Sequence, residues 1–387
     1  MEATNQKMGL ALTVILGMNA MIGASIFTAP SKLMVSVGPA GLLTYVGVIF
    51  AVLMIGLSFA YLATWFSEEG SFYVYASKWG GHYVGLATAF IYLVGLSIAM
   101  GLVAFVTGTY LNMWFSTIDP KILGSLVVAL LAGLNLMGAK ANKIGQLILI
   151  ILTLLPMAVI ALISLSTADV ARLTPFMPHG ILPILTASQA VVFGFLGFEA
   201  IPSLFPLVHN PRKTIPSAVT ISIILVGLIY MAFVGLIMIG IPSHHFADIN
   251  TPLTSILLKH FPQFPWLITL IQAAIVITLM GTLHAMIWSL SSLFQSTLKY
   301  VRNGSIHMSS TISVLIISSF IIAVCLLARD LDVLFNFTAL AVVCAYALVI
   351  PPMFMKPHRT ARTVIIGSLG LVCSLVICGF ALYGILS

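Results

Sequence analysis

Charge is scarce in this sequence, and that scarcity sets its class. Only 6% of the 387 residues are Asp, Glu, Lys or Arg, where a soluble domain carries roughly 25%. Hydrophobic residues make up 60%, and the mean hydropathy is +1.17. No soluble fold of this length hides so much apolar surface, so an integral membrane protein is expected. Cysteine is sparse too. Cys325, Cys344, Cys373 and Cys378 all sit in apolar stretches, without metal-ligand spacing or a polar loop in which to pair, and read as small packing residues. Long polar stretches are missing: the longest, about 67–82, 168–180 and 241–263, are too short to build a soluble domain. Only Lys7 precedes the first apolar run and no small-residue cleavage site follows it, so no signal peptide is expected. The formal net charge of +7 comes from basic residues scattered between apolar runs. That distribution argues against nucleic acid and follows the positive-inside rule.

Apolar runs of the roughly 20 residues that a spanning helix needs recur from end to end. They predict eleven helices, at about 8–36, 39–66, 83–113, 121–139, 143–167, 181–207, 216–240, 264–298, 309–328, 331–355 and 362–386. The stretch from Pro242 to His260 is read as carrying a short outer helix, and Glu68 to Lys78 as an interfacial cytoplasmic element. With the N-terminus in the cytoplasm, Lys7, Lys78, Lys140, Lys143, Arg212, Lys213, Lys299, Arg302, Lys356, Arg359 and Arg362 fall inside; Lys32, Lys121, Arg172, Lys259 and Arg329 fall outside or near the outer ends. This bias predicts N-in and, with an odd count, C-out. A pI near 9.3 and compact loops suit a bacterial inner membrane.

Glu199 is the one carboxylate inside a long apolar segment. An acid at membrane depth costs several kcal/mol or is kept protonated, which marks it as functional by default. Gly194 and Gly197 precede it and Pro202 and Pro206 follow. The first span has a comparable weak point, with Gly23, Ala24 and Ser25 at mid-membrane and Pro30 beyond. Backbone groups freed at this depth must line a cavity or be buried in protein. Half-helices that start there present N–H groups at a positive dipole end, where a carboxylate binds. Interrupted spans at matching places in two halves point to a transporter site. Spans one and six match if helices 1–5 and 6–10 are inverted repeats, about 8–167 and 181–355, within a ten-helix core of residues 1–355. Residues 356–387 then add one helix.

Three motifs resemble those of the amino acid–polyamine–organocation (APC) superfamily of transporters. They are Gly23-Ala-Ser-Ile-Phe-Thr-Ala-Pro30, Phe193-Gly-Phe-Leu-Gly-Phe-Glu199 and His209-Asn-Pro-Arg-Lys-Thr-Ile-Pro-Ser217. The resemblance implies an all-α polytopic membrane protein with the leucine-transporter fold, a 5+5 inverted repeat with helices 1 and 6 broken. It implies secondary active amino-acid transport by alternating access, of the bacterial permease or antiporter type. Carried over by position, Ile22, Gly23, Ala24 and Ser25 would bind substrate, with Ala24 and Ser25 donating to its carboxylate, and Phe193, Gly194, Phe195 and Leu196 would receive its amino group. Ser97 and Met100 would line the pocket, and Glu199 would link protonation to gating. No cofactor or metal is implied. Proton coupling or exchange is expected, with sodium as the lesser alternative; helix 5 (Ile144 to Leu165) has no lysine to replace it.

His284 is the only histidine placed inside a span, and it titrates in the physiological range. It is therefore a second proton candidate, or else a structural histidine donating to a carbonyl. Thr282, Ser289, Ser291 and Ser292 would supply a sodium site if there is one. No Arg or Lys is read as intramembrane, so a neutral amino acid is the expected substrate; a polyamine or organic cation stays as an alternative, because aromatic faces hold cations. The partners expected are that small molecule and the bilayer, with a homodimer left open. Metalloprotease spacing and a nucleophile–base pair are missing, which argues against an enzyme, and polarity concentrated at two breaks argues against a channel. A non-transporting sensor of the same fold remains the other reading, and uptake, export and exchange share one scaffold.

Overall fold

A bilayer leaves no water for unpaired amides, so the apolar runs fold as helices. The computed structural model describes residues 7–246, 252–301, 308–327, 331–357 and 359–386; Asp248, Arg302 and Arg329 lie outside them, as does the side chain of Phe193. The described helices are α1 (Leu10–Met21), α2 (Ser25–Ser36), α3 (Gly41–Trp65), α4 (Ser71–Asn112), α5 (Pro120–Leu136), α6 (Ala139–Leu165), α7 (Leu182–Val192), α8 (Ala200–Ser203), α9 (Pro211–Gly240), α10 (Leu253–His260), α11 (Leu267–Val301), α12 (Ser310–Leu327), α13 (Leu331–Val349) and α14 (Ala361–Leu386). Eight are long and apolar enough to cross a membrane, and the bent pair α1–α2 makes a ninth span. The shorter α5 and the interrupted stretch from α7 to α8 complete the eleven expected.

Helix boundaries move where a sequence signal is ambiguous. The range of α4 holds two helical segments that meet at Gly81, whose backbone (φ 77°, ψ −173°) is not helical. The first segment, from Ser71, takes in most of the interfacial element, and the second begins close to the predicted start of the span at 83. α9 begins at Pro211, where the missing N–H costs nothing in a first turn.

Packing follows heptad-like stripes. α3 buries Tyr45, Val48, Val52, Ile55, Phe59 and Leu62, while Leu43, Val46 and Phe50 stay exposed to lipid. Its buried stripe meets α9, where Gly56 receives Ile223 and Gly227 receives Ile49. Small residues of this kind let membrane helices approach closely.

The contacts repeat when the halves are exchanged. α4 packs against α5, α12 and α13, and α11 packs against α12, α5 and α6 in the same three roles. Likewise α1 packs on α9 as α7 packs on α3. Two five-span halves produce this correspondence, with α14 added against α3 and α13.

One end of the molecule is sealed. Met8 N–H donates to Leu207 O and His209 N–H to Met8 O, both at 2.8 Å, tying the N-terminal segment to the loop after the sixth span. Lys299 pairs with Glu69, Tyr300 donates to the Glu69 carbonyl, and Arg212 Nε donates to Ser67 Oγ at 2.7 Å.

Candidate functional site

The first span breaks between α1 and α2, which meet at 54°. Ile22 is extended (φ −73°, ψ 101°), and Ala24 at the head of α2 carries no side-chain cap. The first amides of α2 therefore lack intrahelical acceptors. The carbonyls freed on the other side are satisfied by distant hydroxyls. Thr282 Oγ1 lies 2.9 Å from Ile22 O and 3.1 Å from Asn19 O, and Tyr230 OH lies 3.1 Å from Met21 O.

The second break follows α7. A tight turn over Phe193–Phe195 leads to extended Leu196 (φ −62°, ψ 133°), then Gly197 at φ 127°, then α8. Gly197 packs directly on the backbone of α1, where an added Cβ would lie 2.5 Å from Ala20 O. Tyr230 OH also reaches Gly194 O at 3.0 Å, so one side chain of α9 touches both breaks. From α11, Ser289 and Ser292 donate to Ala200 O and Ser203 O. Of the α11 hydroxyls named as sodium ligands, Thr282, Ser289 and Ser292 thus already donate to carbonyls, whereas Ser291 Oγ is buried without a partner among the described residues.

A cavity of about 770 Å³ lies between the breaks. It is lined by Gly23, Ala24 and Ser25 at the first break and by Leu196 at the second, with Met100 from α4. It extends along α2 past Thr28, Lys32 and Ser36, and Thr28 is exposed. The cavity therefore opens at the end opposite the seal. Its other walls are mostly apolar, including Leu96, Val103, Met286 and Val342.

Of the other predicted residues, Ile22, Gly194 and Phe195 are buried at the breaks but do not line the cavity. Phe195 packs edge-on against Tyr230. Ser97 is also buried away from it, because the face of α4 that looks in carries Leu96, Met100 and Val103, and Ser97 is about 100° out of phase with it.

Glu199 is fully buried behind the second break, where its Oε2 accepts the Gly197 amide at 2.8 Å. Tyr92 OH approaches Oε1 at 3.4 Å. Around it Phe72 stacks on Tyr92 at 3.8 Å, and Phe59 meets Phe198 and Tyr346 edge-on. Among the described residues, none that lines the cavity is a carboxylate.

His284 faces the scaffold. Its Nδ1 is 3.0 Å from Asn135 Nδ2, and its ring lies against Gly145. Nearby, Asn19 Nδ2 donates to both Gln146 O (2.8 Å) and Gln146 Oε1 (2.7 Å). Asn135 Oδ1, Asn142 Oδ1, Gln146 Nε2 and His284 Nε2 are buried without partners among the described residues, a concentration unusual in a folded interior. Tyr230, Asn19 and Gln146 are not among the predicted residues; their signal is a polar group in mid-span, as for Glu199.

The family model described as amino acid permease matches residues 9–385. The chain belongs to that family. An uncharacterized transporter of Mycobacterium tuberculosis is 24% identical over 305 residues, 78% of this chain and 67% of that protein. The branched-chain amino acid permease of Bacillus subtilis is 23% identical over 277 residues, 66% of this chain and 59% of the other. The mitochondrial cationic amino acid transporter 3 of Arabidopsis thaliana is 25% identical, over 72% of this chain and 50% of that one. The crystal structure of MhsT with L-phenylalanine aligns over 97% of both chains at a TM-score of 0.65 and 14% identity, which shows the leucine-transporter fold of this permease.

Proposed function

We propose that this permease is a secondary active transporter that moves amino acids by alternating access, with no covalent step. One observation carries the reading: two interrupted spans turn unwound backbone toward a single cavity open at one end. The uncapped amides heading α2, at Ala24 and Ser25, suit a substrate carboxylate. The extended turn at Leu196 suits the ammonium. The apolar walls suit a neutral side chain, which binds without a buried counter-charge. Residues 1–355 form the transporting core in this reading, and 356–387 an accessory helix. The chain sits in a bacterial inner membrane with its N-terminus inside, so the open mouth faces outward.

Glu199 is the proposed coupling group, through its bond to the Gly197 amide. Its protonation weakens that bond and frees the second break. His284 and the amides around it are a second proton-accessible cluster, on the scaffold side of the first span.

The test is saturable counterflow in proteoliposomes, beside thermal stabilisation by unlabelled amino acids. An amino acid that does both supports transport, whereas stabilisation without flux identifies a sensor. Ser25→Trp fills the cavity at the first break and is expected to abolish binding while the protein still elutes as a single species. Full affinity in that variant means the substrate binds elsewhere.

A further inference from the structure

Among the described residues, Lys32 is the one charged side chain lining the cavity. Its place near the outer end of the first span is the one expected from the sequence, and there it lines the cavity. Ser25, Thr28, Lys32 and Ser36 all line the cavity from α2, and their spacing of three, four and four residues puts them on one face of that helix. The face runs from the break to the mouth. Side chains on a helix lean toward its N-terminus, which here is the break, so the lysine stem points back into the cavity. Its ammonium forms no ion pair or hydrogen bond with any described residue. By contrast, Lys143, Arg172 and Lys299 are all engaged with carbonyls or a carboxylate. Glu199, the nearest acid in sequence to the second break, is sealed behind it.

We propose that Lys32 determines specificity by charge. It admits substrates whose side chain is neutral or ends in a carboxylate or amide oxygen, and it rejects cationic amino acids and polyamines. The inference rests on the transport reading and deepens it. Seven residues separate Ser25 from Lys32, about 10 Å along the axis. With the substrate carboxylate on the amides heading α2, its side chain extends toward the mouth. A two-carbon acidic side chain and a four-carbon lysine stem cover that distance between them. A unit charge within about 7 Å in a partly hydrated cavity changes affinity by about tenfold, favourably for an anion and unfavourably for a cation.

The experiment uses full-length protein in proteoliposomes. Counterflow is followed with whichever of radiolabelled alanine, leucine or phenylalanine the wild type carries, with glutamate, glutamine and ornithine as competitors. The wild type is expected to bind glutamate at least tenfold more tightly than ornithine. In K32M, which keeps the apolar stem, that ratio should fall toward one, and in K32E it should invert. K32R should keep the wild-type order, which separates loss of charge from damage to the fold. A glutamate-to-ornithine ratio unchanged within twofold in K32M and K32E, with counterflow intact, overturns the assignment of Lys32 alone. Absence of counterflow by every amino acid in the wild type overturns the transport reading itself.

Discussion

Tyr230→Phe removes one oxygen atom from the point where the two breaks meet. The Tyr230 hydroxyl lies 3.1 Å from Met21 O and 3.0 Å from Gly194 O, and the side chain is 1% exposed. It has one proton to share between two carbonyls. Losing that shared bond costs about 1 kcal/mol, and leaving a buried carbonyl without a donor adds about 1–3 kcal/mol. The Met21 carbonyl borders the cavity and regains water, so the lower part of that range applies, about 2 kcal/mol in all. Packing is conserved, because phenylalanine keeps the edge-on contacts with Phe195 (5.3 Å) and Tyr45 (6.2 Å). The variant is expected to melt about 4 °C lower in detergent. Its half-saturating substrate concentration should rise about tenfold, the equivalent of roughly 1.4 kcal/mol of misplaced backbone. A variant that melts within about 1 °C of wild type and transports with unchanged half-saturation refutes the idea that this hydroxyl holds the breaks together.

Gly197→Ala adds a Cβ 2.5 Å from Ala20 O at a backbone angle of φ 127°, so strain and overpacking together cost about 3–5 kcal/mol. A large drop in melting temperature or yield is expected, and a wild-type melt contradicts it. Glu199→Gln keeps an oxygen for the Gly197 amide but cannot titrate, so transport should lose its pH dependence while expression holds; an unchanged pH profile removes Glu199 as the coupling group. At the open end, burial first and neighbouring charge second hold His245 and His260 below the ordinary 6.5; the charges are His244, Lys259 and Arg172 on His245, and His245, Arg172 and His244 on His260. The fold therefore favours neutral rings. Their contribution is complete above about pH 6.5 and is lost as pH falls through the lowered values. Hydrogen exchange of Leu253–Phe261, corrected for intrinsic rates, should accelerate at pH 5 relative to pH 7, and equal protection at both counts against it.

The breaks were legible because glycine and proline punctuate an apolar run whatever the fold around it. Glu199 was legible for a similar reason, being a lone acid in mid-span. Where its oxygen goes was not, since a bond to the amide two residues back forms only once Gly197 takes a positive φ. Partners far apart in sequence stayed hidden. Tyr230 lies 209 residues from Met21, and an aromatic in an apolar helix reads as packing until its hydroxyl has an address. Asn19 and Gln146, 127 residues apart, have the same problem. Ser97 shows the limit of a positional analogy, because an error of one residue turns a helical side chain through about 100°. Lys32 shows the converse: its seven-residue spacing from Ser25 was available in the sequence, but only the bend after Met21 turns that face toward a cavity.

The two halves of the first span are held very differently, and in the proposed alternating-access cycle this asymmetry decides how the cavity would change sides. α1 is tied to the scaffold by Asn19 on Gln146 and by Thr282 on the Asn19 and Ile22 carbonyls. Beyond it, Met8 is bonded to the loop after the sixth span. These ties are hydrogen bonds in a buried setting, each made or lost as a unit. α2 instead leans on α7, α9 and α10 largely through apolar contacts such as Phe27 on Phe233. Such contacts are non-directional and tolerate sliding. The unwound segment from Ile22 to Ala24 decouples the two, so α2 can close on the mouth while α1 stays fixed. Opening the sealed end has a different requirement. It must release the Asn19–Gln146 bonds and the Met8 bridge together, since α1 cannot swing while either holds, and the Lys299–Glu69 pair between α11 and the α3–α4 loop closes the same end separately. A substrate that bridges α2 and the turn at Leu196 acts on the first motion directly. It reaches the second only through the contacts the two breaks share, at Gly197 on Ala20 and at the Tyr230 hydroxyl.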